Sequence, residues 1–279
     1  MTPAQEAVAG AIRTLLSPLS RLAHWILDRF ELPILSGANK GRKWHIGSGV
    51  IACWLGTYET VEVSMFAALI EPGAVVYDLG AHSGYFTLVA SRLAGEQGKV
   101  FAAEAMPTTA AALRHHLEIN DVKNVTVVER AVGNRDDATI AFGANAGGIG
   151  YGAALAGGPQ GLPDELSVRT ITLDTLVAEG APIPDVVKMD VEAMEAAVME
   201  GASAVLKACK TAWLISMHEH EVAVRTIEAL RASGHDVYNL DGPRVPFGTP
   251  ASIDYPQYFW VVLALPAGRK APIAGRWTE

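Results

Sequence analysis

The run Val76-Tyr77-Asp78-Leu79-Gly80-Ala81-His82-Ser83-Gly84-Tyr85-Phe86 puts an acid at the end of an apolar stretch and follows it with a G-x-x-x-G turn. Glycine at such a turn lets bare backbone approach a ligand, because no Cβ stands in the way. A carboxylate at Asp78 suits a ligand that carries positive charge. The dinucleotide fingerprint G-x-G-x-x-G, which aims helix amides at a pyrophosphate, needs glycine where His82 stands. The spacing therefore favours a cationic nucleoside derivative over a dinucleotide. Glu104 closes the next apolar stretch, 24 residues beyond Gly80, where an acid can accept both hydroxyls of a ribose.

A second cluster is Val187-Lys188-Met189-Asp190-Val191-Glu192-Ala193-Met194-Glu195. Asp190 ends an apolar run, and a carboxylate there is costly to desolvate unless it faces a polar cleft. It is expected to look into the same crevice as Asp78 and Glu104. Glu192 and Glu195 open the helix that follows, where negative charge near the N-terminus is electrostatically favoured. The run His218-Glu219-His220-Glu221 could suggest a metal. Residues alternate in direction near a strand end, so the two histidines share a face while Glu219 points away. A histidine lining the crevice is the simpler reading, and no metal ligand is assigned.

These groups need a scaffold that brings strand ends together. From residue 75 onward short β-rich runs alternate with helical patterns, the signature of a parallel sheet flanked by helices. Strands are expected at 75–79, 99–103, 125–128, 185–190, 213–217, 235–240 and 258–264. The last two are joined by a Pro/Gly-rich loop and should form an antiparallel pair. The result is an α/β fold with a mostly parallel seven-stranded sheet, one antiparallel strand, and helices on both faces. Val168–Thr172 alternates like a further strand, with Asp174 expected to cap a short helix. Residues 138–163 hold no charge and eight of the chain's 27 glycines, which predicts a mobile loop that serves as a lid or substrate wall.

Composition limits the function classes. The chain has 279 residues, half of them apolar, which is ample for a core and excludes global disorder. A net charge of −8 has the wrong sign for gripping a phosphate backbone, so nucleic acid is not an expected partner. Cys53 and Cys209 form no disulfide framework or zinc spacing, and a reducing cytoplasm is the expected compartment. Charges interrupt residues 1–35, so no transmembrane segment is expected. Leu15, Leu19, Leu22, Ile26 and Phe30 fall on one helical face, interrupted by Pro18. Such a helix would dock on its own domain or on a second copy, making a homodimer one assembly the sequence allows, with peripheral membrane contact as the alternative. Residues 1–60 read as an accessory segment and 61–279 as the main domain.

Five blocks then occur in a specific order: Gly56-Thr57-Tyr58-Glu59, the glycine turn, Glu104-Ala105-Met106-Pro107, Thr172-Leu173-Asp174, and Lys188 to Glu195 with Glu200-Gly201-Ala202. Between about residues 56 and 220 the chain resembles the FkbM family of S-adenosylmethionine-dependent methyltransferases. The resemblance implies a Rossmann-like methyltransferase fold and methylation of a hydroxyl on a sugar or small secondary metabolite. It implies that Asp78, Gly80 and Gly84 hold the methionine end of S-adenosylmethionine, with Ala81, His82 and Tyr85 completing the turn, Glu104 on the ribose and Glu129 to Ala131 beside the adenine. Asp190 is the first candidate base and His218 the second, with Glu192 joining the catalytic set. The sequence departs from the family pattern at His82, Ala105 and Ala193, where Asn, Pro and Gly are usual. Two other readings stay open at this level: a catalytically silent S-adenosylmethionine-binding partner and an NAD(P)-dependent oxidoreductase.

Overall fold

The structure is a computed structural model that describes residues 30–144, 151–154, 166–240 and 260–269. The N-terminal helical face up to Ile26 and the Pro/Gly-rich loop before the last strand lie outside the described residues. The chain divides into two compact units, Met1–Tyr58 and Glu59–Glu279. No helix among the described residues is long and apolar enough to cross a membrane.

In the first unit, β1 (Glu31–Pro33) pairs antiparallel with β2 (Lys43–His45), and a short 3-10 turn leads to helix α1 (Ile51–Leu55). Trp44, Ile34 and Ile46 are buried here. The turn after β1 packs directly on the end of α1. A Cβ at Gly56 would stand 2.0 Å from the Ser36 carbonyl oxygen, and φ is +76° at this position, so only glycine fits.

The second unit begins with α2 (Thr60–Leu69) and then alternates β3 (Val75–Leu79), α3 (Tyr85–Ala94), β4 (Lys99–Ala103), α4 (Pro107–Ile119) and β5 (Val125–Val128). Four short strands follow: β6 (Ala131–Val132), β7 (Thr139–Ala144), β8 (Tyr151–Ala154) and β9 (Leu166–Ile171). Alternation then resumes through α5 (Leu173–Ala178), β10 (Val186–Met189), α6 (Glu195–Glu200), α7 (Ser203–Ala208), β11 (Ala212–Met217), α8 (His220–Ala232), β12 (His235–Asn239) and β13 (Trp260–Pro266).

The main sheet has the order β12-β13-β11-β10-β3-β4-β5. The five strands from β11 to β5 pair in parallel, while β13 runs antiparallel between β11 and β12. This is the seven-stranded, mostly parallel α/β sheet expected from the sequence, a Rossmann-like methyltransferase fold. The core strands are apolar on both faces because helices cover both, as parallel sheets require. Tyr77, Met189, Trp213 and Ile215 are completely buried in one cluster with Leu173, Val198 and Leu230. Chain order reverses between β3 and β10, and open sheets bind ligands beyond the carboxyl ends of the strands at such a switch point.

Three expectations are corrected. Within 138–163, the described residues are extended rather than loop: β7 pairs with β8 and with β9, and β6 joins β9, forming a separate four-stranded sheet. Glycine penalises a helix, but a short ladder held by backbone hydrogen bonds accommodates Gly143 opposite Gly152. Asp174 does not cap its own helix. Thr172 does, accepting from the Thr175 amide, while the Asp174 carboxylate accepts from the Ser203 and Ala204 amides at 3.0 and 2.7 Å and so caps α7. Helix α6 starts at Glu195, not near Glu192, because Glu192 and Ala193 both adopt left-handed backbone, with φ of +50° and +68°.

Candidate active site

Asp78 sits on β3 directly opposite Lys188 on β10, and side chains of register partners share a face. Both are buried, at 1% and 3% exposure. Thr87 Oγ1 donates to Asp78 Oδ2 at 2.5 Å. Burial raises the Asp78 carboxyl, Lys188 and Thr87 only partly counter this, and it stands at about 6. A buried carboxylate compensated only in part still favours a further cation.

Beyond Asp78 the chain makes a compact turn. The amides of Gly80 and Ala81 both donate to the Ala103 carbonyl at 2.9 Å, and Gly84 donates to Ala81. The His82 amide donates to Glu104 Oε2 at 2.7 Å. With these amides satisfied inside the protein, the turn is not a pyrophosphate cradle, in keeping with the missing glycine at His82. Gly80 is required here for a second reason, since its Cβ would stand 1.9 Å from the Asp190 carbonyl oxygen. His116, fully buried on α4, bonds through Nδ1 to the Ser83 carbonyl at 2.7 Å and ties the turn to the helix. Ala81 and Tyr85 are buried in the turn and its helix, while the His82 side chain is exposed.

Glu104 is 7% exposed. Its Oε1 accepts from the Met106 amide and from Thr109 Oγ1, at 2.8 and 2.7 Å. Among the described residues Oε2 accepts only from the His82 amide, and it retains capacity for another donor. Glu104 thus organises the turn as well as offering an acceptor to a ribose. Ala131 lies on β6 and packs with Ile140, Val168 and Met194 in a small apolar cluster, so its side chain belongs to that core. Met194 and neighbouring Val191 seat the left-handed turn at Glu192 and Ala193 on the four-stranded sheet.

At the end of β10, Asp190 is held from two sides. Lys188 Nζ donates to Oδ2 at 2.6 Å, and His218 Nε2 lies 3.2 Å from Oδ1. Burial would raise this carboxyl, but Lys188 and His218 outweigh it and hold it well below the usual range. His218, at the end of β11, has its Nδ1 2.6 Å from Oε1 of Glu195. Burial would lower the imidazole, yet Asp190 and Glu195 push it up to about 10. Glu192 is held more loosely: its side chain is 45% exposed and its Oε2 lies 3.7 Å from His218 Nε2. Burial, as the largest cause, raises the Glu192 carboxyl above its ordinary value. Asp190, Glu192 and His218 each bring one ligand-type atom within 4.8 Å of the others, the spacing a metal ion could bridge.

The structure thus brings Asp78 and Asp190 to adjacent strand ends, with Glu104 after the next strand, and gathers Glu192 and His218 beside Asp190. Sequence reasoning overlooked two participants. Lys188 was legible as a single cation inside an otherwise apolar strand, two residues from an acid and therefore on the same face. Glu195 reads from sequence as a helix N-terminal charge, and its bond to His218 joins positions too far apart in sequence for periodicity to link.

A family model described as "Methyltransferase FkbM domain" matches residues 78–236, more than half of the chain. The chain belongs to the FkbM methyltransferase family, and its methyl donor is S-adenosylmethionine. It is 41% identical over 59 residues to a protein-L-isoaspartate O-methyltransferase of Methanococcoides burtonii, covering 21% of this chain and 29% of that protein. It is 43% identical over 49 residues to a ribosomal RNA large subunit methyltransferase E of Chromobacterium violaceum, covering 18% and 24%. The chain therefore spans less than a third of the length of either curated relative. Among solved structures, a precorrin-6y C5,15-methyltransferase from Geobacter metallireducens aligns over 73% of this chain and 87% of its own, at 17% identity and a TM-score of 0.42.

Proposed function

We propose that this methyltransferase transfers its methyl group to a hydroxyl oxygen of a small acceptor, a sugar or a secondary metabolite. The observation that carries this reading is the cluster of Asp190, Glu192 and His218 on strand ends next to those bearing Asp78 and Glu104. Polar groups able to bind an acceptor, next to groups suited to the donor, support this reading.

Bound S-adenosylmethionine supplies a methyl carbon already activated by a sulfonium. Asp78 binds the positive methionine end, Gly80 lets the turn close against the Asp190 carbonyl, and Glu104 Oε2 takes a ribose hydroxyl. The chain's remaining task is to align an acceptor oxygen and exclude water. Proton removal is assigned to Glu192 rather than to Asp190 or His218. Both Asp190 oxygens are engaged by cations and its carboxyl is depressed, which makes a weak base. An imidazole pushed up to about 10 is protonated at neutral pH and has no lone pair to offer. Glu192 is partly exposed, and burial raises its carboxyl above the ordinary value, which makes it the stronger base of the two carboxylates. Asp190 and His218 then orient the hydroxyl.

A net charge of −8 argues against RNA as the acceptor. The reading is tested by incubating the protein with methyl-labelled S-adenosylmethionine and fractionated cell extract, followed by mass spectrometry of the labelled product. A methyl ether on a small molecule is the expected result. Label on nitrogen, on protein or on RNA would overturn it.

A further inference from the structure

We propose that Lys188 is a positioning residue that serves as the shared counter-ion of Asp78 and Asp190, coupling the donor pocket to the acceptor cluster. This deepens the reading above and rests on Asp78 holding the cofactor's positive end.

Lys188 interrupts an apolar strand whose other residues, Val186, Val187 and Met189, have no exposed surface. An unpaired ammonium at that depth is strongly unfavourable, so its partners define its role. Three carboxylates face it from three elements: Asp190 from the end of its own strand, Asp78 from β3, and Glu59 from the start of α2. From α3, the Phe86 ring lies with its centroid 4.9 Å from Nζ and supplies a cation–π contact. Burial would lower the ammonium, but the three acids outweigh it and keep it charged. One buried positive charge is therefore bonded to Asp190 and, from the register position opposite Asp78, acts through space on that second carboxylate.

A shared counter-ion has a consequence that a merely structural lysine lacks. Removing the ammonium strips Asp78 of its nearest positive charge and raises its affinity for a proton. Removing the Asp190 charge does the opposite, because it deletes a negative neighbour and leaves the ammonium to Asp78. Lys188 lowers and Asp190 raises the Asp78 carboxyl, in keeping with these directions.

The experiment is calorimetric titration of the purified protein with S-adenosylmethionine between about pH 4 and pH 9.5, a window that brackets a carboxylate near 6 and its shifts in the variants. Wild type should lose affinity below a midpoint near pH 6. Lys188→Met should move that midpoint up by about 1–3 pH units, the usual effect of losing an adjacent opposite charge. Asp190→Asn should move it down. Where Lys188→Met fails to fold, the near-isosteric Asp190→Asn carries the test alone. A midpoint that Asp190→Asn leaves unmoved or raises overturns the proposal, as does an unmoved midpoint in folded Lys188→Met. A flat wild-type profile would instead overturn Asp78 as the cofactor's anchor, and this proposal with it.

Discussion

His218 Nδ1 lies 2.6 Å from Oε1 of Glu195, a side chain with no exposed surface, while Nε2 on the other edge of the ring lies 3.2 Å from Asp190. The imidazole is clamped between two carboxylates from opposite sides, with Glu192 nearby. Oε2 of Glu195 has no hydrogen-bond partner among the described residues, so most of its charge is directed at one ring. This arrangement makes His218 a fixed cation that orients Asp190 instead of a titrating base.

The clamp predicts a pH dependence of stability. The folded-state value of His218 is raised to about 10 from an ordinary 6.5, so its contribution is complete below about pH 6.5 and disappears as pH rises through 10. Urea denaturation should show wild type losing stability across that alkaline window. Glu195→Gln should flatten the loss and cost roughly 1.5–3 kcal/mol near pH 7, the range for a hydrogen bond to a charged group. Parallel pH profiles for the two proteins would refute the clamp.

Glu192→Gln is expected to lower kcat by about 10²–10⁴-fold, the usual share of a positioned general base, with little change in the KM for S-adenosylmethionine. The acidic limb of the kcat profile should vanish with it. Asp190→Asn should also lower kcat, yet keep that limb, because its carboxyl is depressed too far to produce it. An acidic limb that survives in Glu192→Gln would move the base elsewhere.

Asp78→Asn removes the only charge that the glycine turn presents on β3, and affinity for S-adenosylmethionine should fall by about 1.5–3 kcal/mol above pH 7. The difference between variant and wild type should shrink as pH falls below 6, where the wild-type carboxyl becomes protonated. Binding measured at pH 5 and pH 8 decides the matter: an equal loss at both would show that charge is not what Asp78 contributes.

The parallel sheet was legible because its strands are continuous apolar runs ending at acids, and each run is bounded by turn residues. Asp78, Glu104 and Asp190 could be placed at strand ends for the same reason. The small sheet was not legible. Its strands β7 and β8 are short and rich in alanine with a glycine in each, and backbone pairing of β8 to β7 and of β7 to β9 makes them extended. Roles within the acidic cluster were also hidden, since they depend on which oxygen meets which cation. Lys188, two positions before Asp190, and His218, one strand further on, together engage both oxygens of the first candidate base.

A divalent ion is not expected to be required, although Asp190, Glu192 and His218 stand within ligand spacing. Oδ1 and Oδ2 of Asp190 are both bonded, and His218 Nε2 carries a proton at neutral pH that a metal would have to displace. Dialysis against EDTA should leave methyl transfer within about twofold, less than RT at 25 °C in free energy. Loss of activity that magnesium or manganese restores would show that the cluster is a metal site after all.

Ala193 offers a test of the turn that carries Glu192. Its φ of +68° is left-handed, where an alanine Cβ crowds the following carbonyl at a cost of about 1–2 kcal/mol and glycine meets no such penalty. Glycine in turn loses more chain entropy on folding, by roughly 0.5–1 kcal/mol. The balance predicts that Ala193→Gly stabilises the protein by up to about 1.5 kcal/mol, seen as a higher urea midpoint at unchanged slope. Glu192 itself remains left-handed at +50° and keeps its place 3.7 Å from His218, so the pH profile of kcat should not shift. A destabilised Ala193→Gly would mean that the alanine methyl packs well enough to outweigh its backbone strain.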